Sequence, residues 1–295
     1  MPVFQLTDRL LFPPPQLADE DGLLAVGGDL SEQRLLLAYS MGIFPWFMPG
    51  EPIFWWSPDP RLVLFPDEFH MSKRLRRVIR QRVFRVTVNA AFDEVIQWCA
   101  DIRGSGREST WLTAEMVKAY RRLHRSGYAH SIECWIDDTL VGGVYGMALG
   151  RCFFGESMFS RVDNASKVAL ASLVDRARTW GLRVIDCQNP TAHLLHLGAR
   201  AIPRDEFLAL LYEGLSNPPR SDAWTPEQPL PWSQARNRPL IPNIDHGKQA
   251  AETETRFPHF AKDARGPRVL LPRGSVHNRQ TIPGPDPPSD RLRWN

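Results

Sequence analysis

Hydrophobic patterning divides this chain of 295 residues into three stretches. Up to about residue 62 it is irregular. Prolines alternate with large rings in Gly42-Ile43-Phe44-Pro45-Trp46-Phe47 and again in Phe54-Trp55-Trp56-Ser57-Pro58-Asp59-Pro60, and one short helix is expected between Asp29 or Ser31 as N-cap and Gly42 as terminator. A regular stretch follows. Strands are expected at 61–65 and 84–88, with a basic helix between them that starts after Ser72. A helix capped by Asn89 then carries Phe92, Val95, Ile96 and Cys99 on one face, and another capped by Thr113 carries Met116, Val117, Tyr120 and Leu123. Runs at 131–136, 140–149 and 152–159, separated by short turns, read as an antiparallel meander. Asn164 caps a helix that runs to Trp180 and stops at Gly181, after which a strand at 184–188 returns beside the meander and makes one parallel pair. A short helix, a strand at 199–202 and a helix from 203 to about 215 complete the stretch. From Pro218 onward the periodicity is lost and more than half of the prolines lie there, so residues 235–295 are expected to be disordered. The expected class is α+β, with a small domain over 1–62, a mixed-sheet domain over 63–234 and a tail.

Two strings in the regular stretch break the apolar habit of strands: Phe153-Phe154-Gly155-Glu156-Ser157-Met158-Phe159 and Val184-Ile185-Asp186-Cys187-Gln188. A carboxylate in an apolar strand is expensive unless it is paired or used. Alternation puts Asp186 and Gln188 on one face, roughly 6–7 Å apart along the strand. If the intervening helix is a crossover, Glu156 lies on the neighbouring strand, and three groups able to bind or activate an amine converge at one mouth of the sheet. A structural hydrogen-bond network is the competing reading of the same three residues.

Formal charge is only +3, but Lys73, Arg74, Arg76, Arg77, Arg80, Arg82 and Arg85 crowd into thirteen positions. A solvated helix face would explain them, yet only Asp67 and Glu68 stand nearby, which favours an anionic partner such as a phosphate backbone. Four cysteines without a C-x-x-C pair suit reduced thiols, and no basic-then-apolar leader or ~18-residue apolar run is present, so the expected location is the cytoplasm. His193-x-x-His196 has no third ligand close in sequence, so no metal is expected.

Taken together, Gly22-Leu23-Leu24-Ala25-Val26-Gly27-Gly28-Asp29-Leu30-Ser31, Gly42-Ile43-Phe44-Pro45-Trp46-Phe47, Trp55-Trp56-Ser57-Pro58-Asp59-Pro60-Arg61, His130-Ser131-Ile132-Glu133, Gly155-Glu156-Ser157-Met158-Phe159-Ser160, Asn164-Ala165-Ser166-Lys167 and Ile185-Asp186-Cys187-Gln188 resemble the bacterial leucyl/phenylalanyl-tRNA–protein transferases over residues 1 to about 232. The resemblance implies an acetyltransferase-like (GNAT) second domain. It also implies transfer of Leu or Phe from leucyl-tRNA or phenylalanyl-tRNA onto proteins that begin with Arg or Lys, by a monomer without cofactor. It implies Asp186 and Gln188 as the catalytic pair and Glu156 as the attractor of the cationic acceptor. Tyr39, Trp46, Trp111, Tyr120, Phe153 and Gly155 would surround the aminoacyl-adenosine. Met158, Leu170, Leu173, Ala177 and Ile185 would line a slot for the donor side chain, although a plain core explains that helix face as well. The cations at 73, 74, 76, 77 and 80 would hold the tRNA.

Two other classes fit less well. An ordinary acetyltransferase needs a pyrophosphate loop between strand and helix, where this chain reads Ser160-Arg161-Val162-Asp163-Asn164-Ala165. A non-catalytic RNA-binding module explains the basic helix but leaves Glu156 and Asp186 without purpose.

Overall fold

The computed structural model describes residues 3–104, 112–217 and 224. Trp111 and the stretch 235–295, expected as donor-binding and as a tail, lie outside them.

The proline- and ring-rich start is more ordered than its pattern predicts. Strands β1 (Phe4–Leu6), β2 (Leu23–Gly27), β3 (Phe44–Pro45) and β4 (Phe54–Trp56) form a small sheet in the order β1-β2-β4-β3. Alternation is invisible there because the strands are two to five residues long. Helix α1 (Glu32–Ser40) starts where Ser31 accepts a hydrogen bond from the Arg34 N–H. Its stop is Gly42, in the left-handed region at φ 71°.

A second, seven-stranded sheet has the order β11-β5-β10-β9-β8-β7-β6. It comprises β5 (Arg61–Leu64), β6 (Arg85–Val88), the meander β7 (Ala129–Ile136), β8 (Thr139–Leu149) and β9 (Cys152–Ser160), then β10 (Val184–Gln188) and β11 (Arg200–Ile202). Only β9 and β10 pair in parallel within it, as the crossover requires. Helices α2 (Lys73–Arg80) and α5 (Ala165–Trp180) cover one face. The other face carries α3 (Phe92–Gly104), α4 (Ala114–Arg125) and α7 (Arg204–Ser216), while α6 (Ala192–His196) is one short turn. Ser72 and Thr113 cap α2 and α4 as expected. Asn89 does not cap α3, which begins three residues later; its side chain instead bonds His130, the Ser131 N–H and the Trp224 carbonyl.

Each face of the large sheet has its own core. Leu170, Leu173, Ala177 and Ile185 belong to the one under α5, together with Phe153 and Trp224. The opposite core runs without a break from Leu24, Tyr39 and Trp55 to Tyr120, Phe154 and Phe207, so residues 1–62 share it with the large sheet. The second sheet begins at Arg61, which puts the 62/63 boundary inside β5.

Two irregularities shape the middle of the sheet. Pairing of β8 with β9 slips between Tyr145 and Gly146, opposite Glu156, and pairing of β10 with β5 slips between Asp186 and Gln188. At the first, Gly146 is forced by space: a Cβ there would stand 2.0 Å from the Phe154 carbonyl oxygen. Gly146→Ala should therefore cost about 1–3 kcal/mol, as overpacking does, seen as a lower unfolding midpoint in urea at unchanged slope.

Candidate active site

Where β9 and β10 part, polar side chains meet a recess. The strands pair from Val184 and Cys152 to Asp186 and Phe154 and then diverge, leaving Glu156 on one lip and Gln188 on the other. Gln188 occupies φ 61°, a region few side-chain-bearing residues adopt. Its N–H bonds Asp186 Oδ1 at 2.9 Å, and its Nε2 donates to Glu156 Oε1 at 3.1 Å. The turn of the backbone thus aims the amide.

Glu156 also accepts from the phenols of α1 and α4: Tyr39 at 2.6 Å on Oε1 and Tyr120 at 2.8 Å on Oε2. The two hydroxyl oxygens lie 2.5 Å apart. Burial pushes the Glu156 carboxyl up to about 7, and the pull of the two phenols in the other direction does not cancel it. Both phenols are raised well above their ordinary value by burial and by the neighbouring carboxylate, so they stay protonated and donate.

Asp186, expected on one strand face with Gln188 and as its catalytic partner, does not border the recess. It is fully buried, and Arg61 grips both oxygens, Nε to Oδ1 at 2.8 Å and Nη2 to Oδ2 at 2.6 Å. The guanidinium is itself held between the rings of Phe44 and Phe207, at 4.7 and 4.8 Å. Asp186 meets Gln188 through the Gln188 backbone N–H. Arg61 is the residue the sequence reading missed as part of the site. It begins an otherwise apolar strand, and the rule that made Asp186 conspicuous, that a buried charge wants a partner, applies equally to it.

The recess has a volume of about 300 Å³. Val144, Met158, Leu170, Leu173 and Ile185 form its apolar wall, Phe44 and Trp46 its rim, and Gly155, Glu156 and Gln188 its polar side. Of the expected donor-site residues it therefore gathers Trp46, Gly155, Met158, Leu170, Leu173 and Ile185. Tyr39 and Tyr120 stand behind Glu156. Phe153 and Ala177 lie deeper in the core, the Phe153 ring 5.3 Å from that of Trp224, because each sits further along its strand or helix from the mouth. Cys187, Asn189, Thr191 and Leu194, not singled out in the sequence, also border the recess. Lys73, Arg74, Arg76, Arg77 and Arg80 project from α2 into solvent while Leu75 is buried beneath them. Among the described residues, no three His, Cys, Asp or Glu side chains cluster so as to hold a metal ion.

An apolar recess bordered by a protonatable carboxyl and an aimed amide can seat an apolar group while a proton moves beside it, which is the equipment of a group-transfer enzyme. Residues 63–212 match the family model for leucyl/phenylalanyl-tRNA protein transferase, and residues 28–59 match that of its N-terminal domain. The chain belongs to the leucyl/phenylalanyl-tRNA protein transferase family. Proteins of that name from Syntrophobacter fumaroxidans and Desulfatibacillum aliphaticivorans are 58% and 53% identical over 227 residues, 77% of this chain and 97% of each relative. One from Syntrophus aciditrophicus is 54% identical over 225 residues, 76% of this chain and 94% of its own. Among solved structures, a conserved protein of unknown function from Bacteroides thetaiotaomicron overlaps with a TM-score of 0.35 at 12% identity, over 58% of this chain and 57% of that one. A likeness that slight leaves the architecture to be argued from this chain alone.

Removing Arg61 tests how the site is held. Arg61→Met strands the Asp186 carboxylate without its cation and should cost about 3–5 kcal/mol in denaturant unfolding. Combining it with Asp186→Leu should cost clearly less than the two single changes summed, because the pair is one unit.

Proposed function

We propose that the chain moves leucine or phenylalanine from its aminoacyl-tRNA to the α-amine of a protein that begins with Arg or Lys, marking that protein for degradation. The observation that carries this reading is the apolar slot ending on Glu156 and Gln188. An aminoacyl ester is already activated, so the enzyme needs only to seat the donor side chain, present the amine and steady the developing oxyanion. Met158, Leu170, Leu173 and Ile185 suit a donor side chain that is apolar and not branched at Cβ, as Leu and Phe are. Trp46 at the rim suits stacking on the terminal adenosine, with Tyr39, Tyr120, Phe153 and Trp111 as the family's further positions around it. Gln188, fixed through Asp186 and Arg61, orients the amine, and Glu156 attracts the cationic acceptor. The exposed cations of α2 suit the tRNA backbone.

The meander, the crossover by α5 and the parting of β9 from β10 support an acetyltransferase-like arrangement of the large sheet. Action in the cytoplasm fits the four free cysteines, and no described helix is long and apolar enough to cross a membrane.

Incubating the protein with leucyl-tRNA and a peptide that starts with Arg should yield that peptide extended by one leucine. Binding of tRNA without any extended peptide would favour the RNA-binding module instead. Given shape selection in the slot, Leu and Phe should transfer while Ile and Val lag by ~1–3 kcal/mol per misplaced methyl group. Equal transfer of Ile and Leu would rule the slot out. If α2 makes Z phosphate contacts, log affinity for tRNA should fall against log salt with a slope of about −0.7Z to −0.9Z. Replacing Arg74, Arg76 and Arg77 with Ala should flatten it; an unchanged slope would move the tRNA site elsewhere.

A further inference from the structure

The transfer proposed above releases a proton, and the site must take it. An α-amine with a pKa near ~8 arrives mainly as ammonium at neutral pH and cannot attack an ester in that form. Gln188 faces the recess, but a carboxamide offers donors and an acceptor and stores no proton near neutrality. Asp186 is fully buried, with Arg61 on both oxygens and the Gln188 N–H on one. Among the described residues, two ionisable side chains border the recess, Glu156 and Cys187. Burial pushes the Cys187 thiol up, so no thiolate is at hand to act as a base.

We infer that Glu156 is the proton acceptor for the incoming α-ammonium, while the Gln188 carbonyl oxygen, left free by the turn of Nε2 toward Glu156, holds the amine over the ester. This rests on the transfer reading and adds the destination of its proton. An ammonium N–H bond breaks and its proton goes to a Glu156 oxygen. The freed lone pair forms the C–N bond to the ester carbonyl, and the C–O bond to the tRNA ribose breaks. The departing ribose oxygen takes a second proton from the same nitrogen. Glu156 then returns its proton to water, so each turnover releases one.

The surroundings of Glu156 suit this role. Tyr39 from α1 and Tyr120 from α4 donate to it, Tyr145 of β8 stands beside Tyr120 with ring centroids 5.7 Å apart, and β10 contributes Gln188 and Asp186. The charge of Asp186 raises its pKa and that of Arg61 from β5 lowers it, with burial the largest effect. The carboxyl therefore sits at about 7, close beneath the amine whose proton it would take. Above that pH it is ionised and able to accept; below it, it is already protonated.

The test is single-turnover transfer of leucine to saturating Arg-starting peptide, followed against pH. The native rate should rise with an apparent pKa of about 7. Glu156→Gln should lose that limb, transfer ~10²–10⁴-fold more slowly at neutral pH, and recover only as the amine ionises by itself near ~8. Tyr120→Phe keeps the carboxylate but removes a donor to its charged form, so it should move the acid limb to higher pH. A Glu156→Gln protein that keeps the native maximal rate and limb, with only the apparent KM for peptide raised, would overturn the inference and leave Glu156 as an attractor of the acceptor. A native protein that transfers leucine to no peptide would overturn the transfer reading itself.

Discussion

Burying a carboxylate costs several kcal/mol unless the site compensates it, and two carboxylates are buried where β9 and β10 part. They are compensated unequally. Arg61 meets Asp186 with a two-point ion pair inside a sandwich of rings, whereas Glu156 receives hydrogen bonds from two phenols and an amide. That difference separates their chemistry. Asp186 is held by a full countercharge, whereas burial pushes the Glu156 carboxyl up to about 7.

The backbone around the pair serves the same division. Gln188 adopts a left-handed conformation that costs a residue with a side chain on the order of 1–3 kcal/mol. Its N–H bond to Asp186 and its amide bond to Glu156 oppose that cost and fix the direction of the amide. On β9 the slip opposite Glu156, made possible by Gly146, turns the carboxyl toward the phenols of α1 and α4. Since Tyr39 comes from the first 62 residues and Tyr120 from the large sheet's cover, the shared core is what brings the two phenols to one carboxylate.

Much of this was legible in the sequence. The meander, the crossover after Asn164 and the parallel return strand follow from alternation, helix stripes and the stop at Gly181, all of which are local signals. Glu156, Asp186 and Gln188 stood out because charged or amide groups in apolar strands need a reason. What stayed hidden was long-range. The Asp186 partner lies 125 positions away in Arg61, and the Glu156 partners lie 117 and 36 positions away in Tyr39 and Tyr120. No spacing rule links such residues. The small sheet was missed because strands of two to five residues are too short for a period to register, and Asn89 resembled a cap until its side chain was found bonding His130 and Trp224.

The chemistry of the recess turns on the state of one carboxyl group. Its most direct test is a carbon-13 NMR titration of the Glu156 side-chain carboxyl in the folded protein, assigned by its disappearance in Glu156→Gln. A buried carboxyl held by two phenols and an amide should titrate at about 7. A midpoint at the ordinary glutamate value of about 4.3 would mean that water reaches the group freely, contradicting both the burial of its side chain and the role proposed for Glu156.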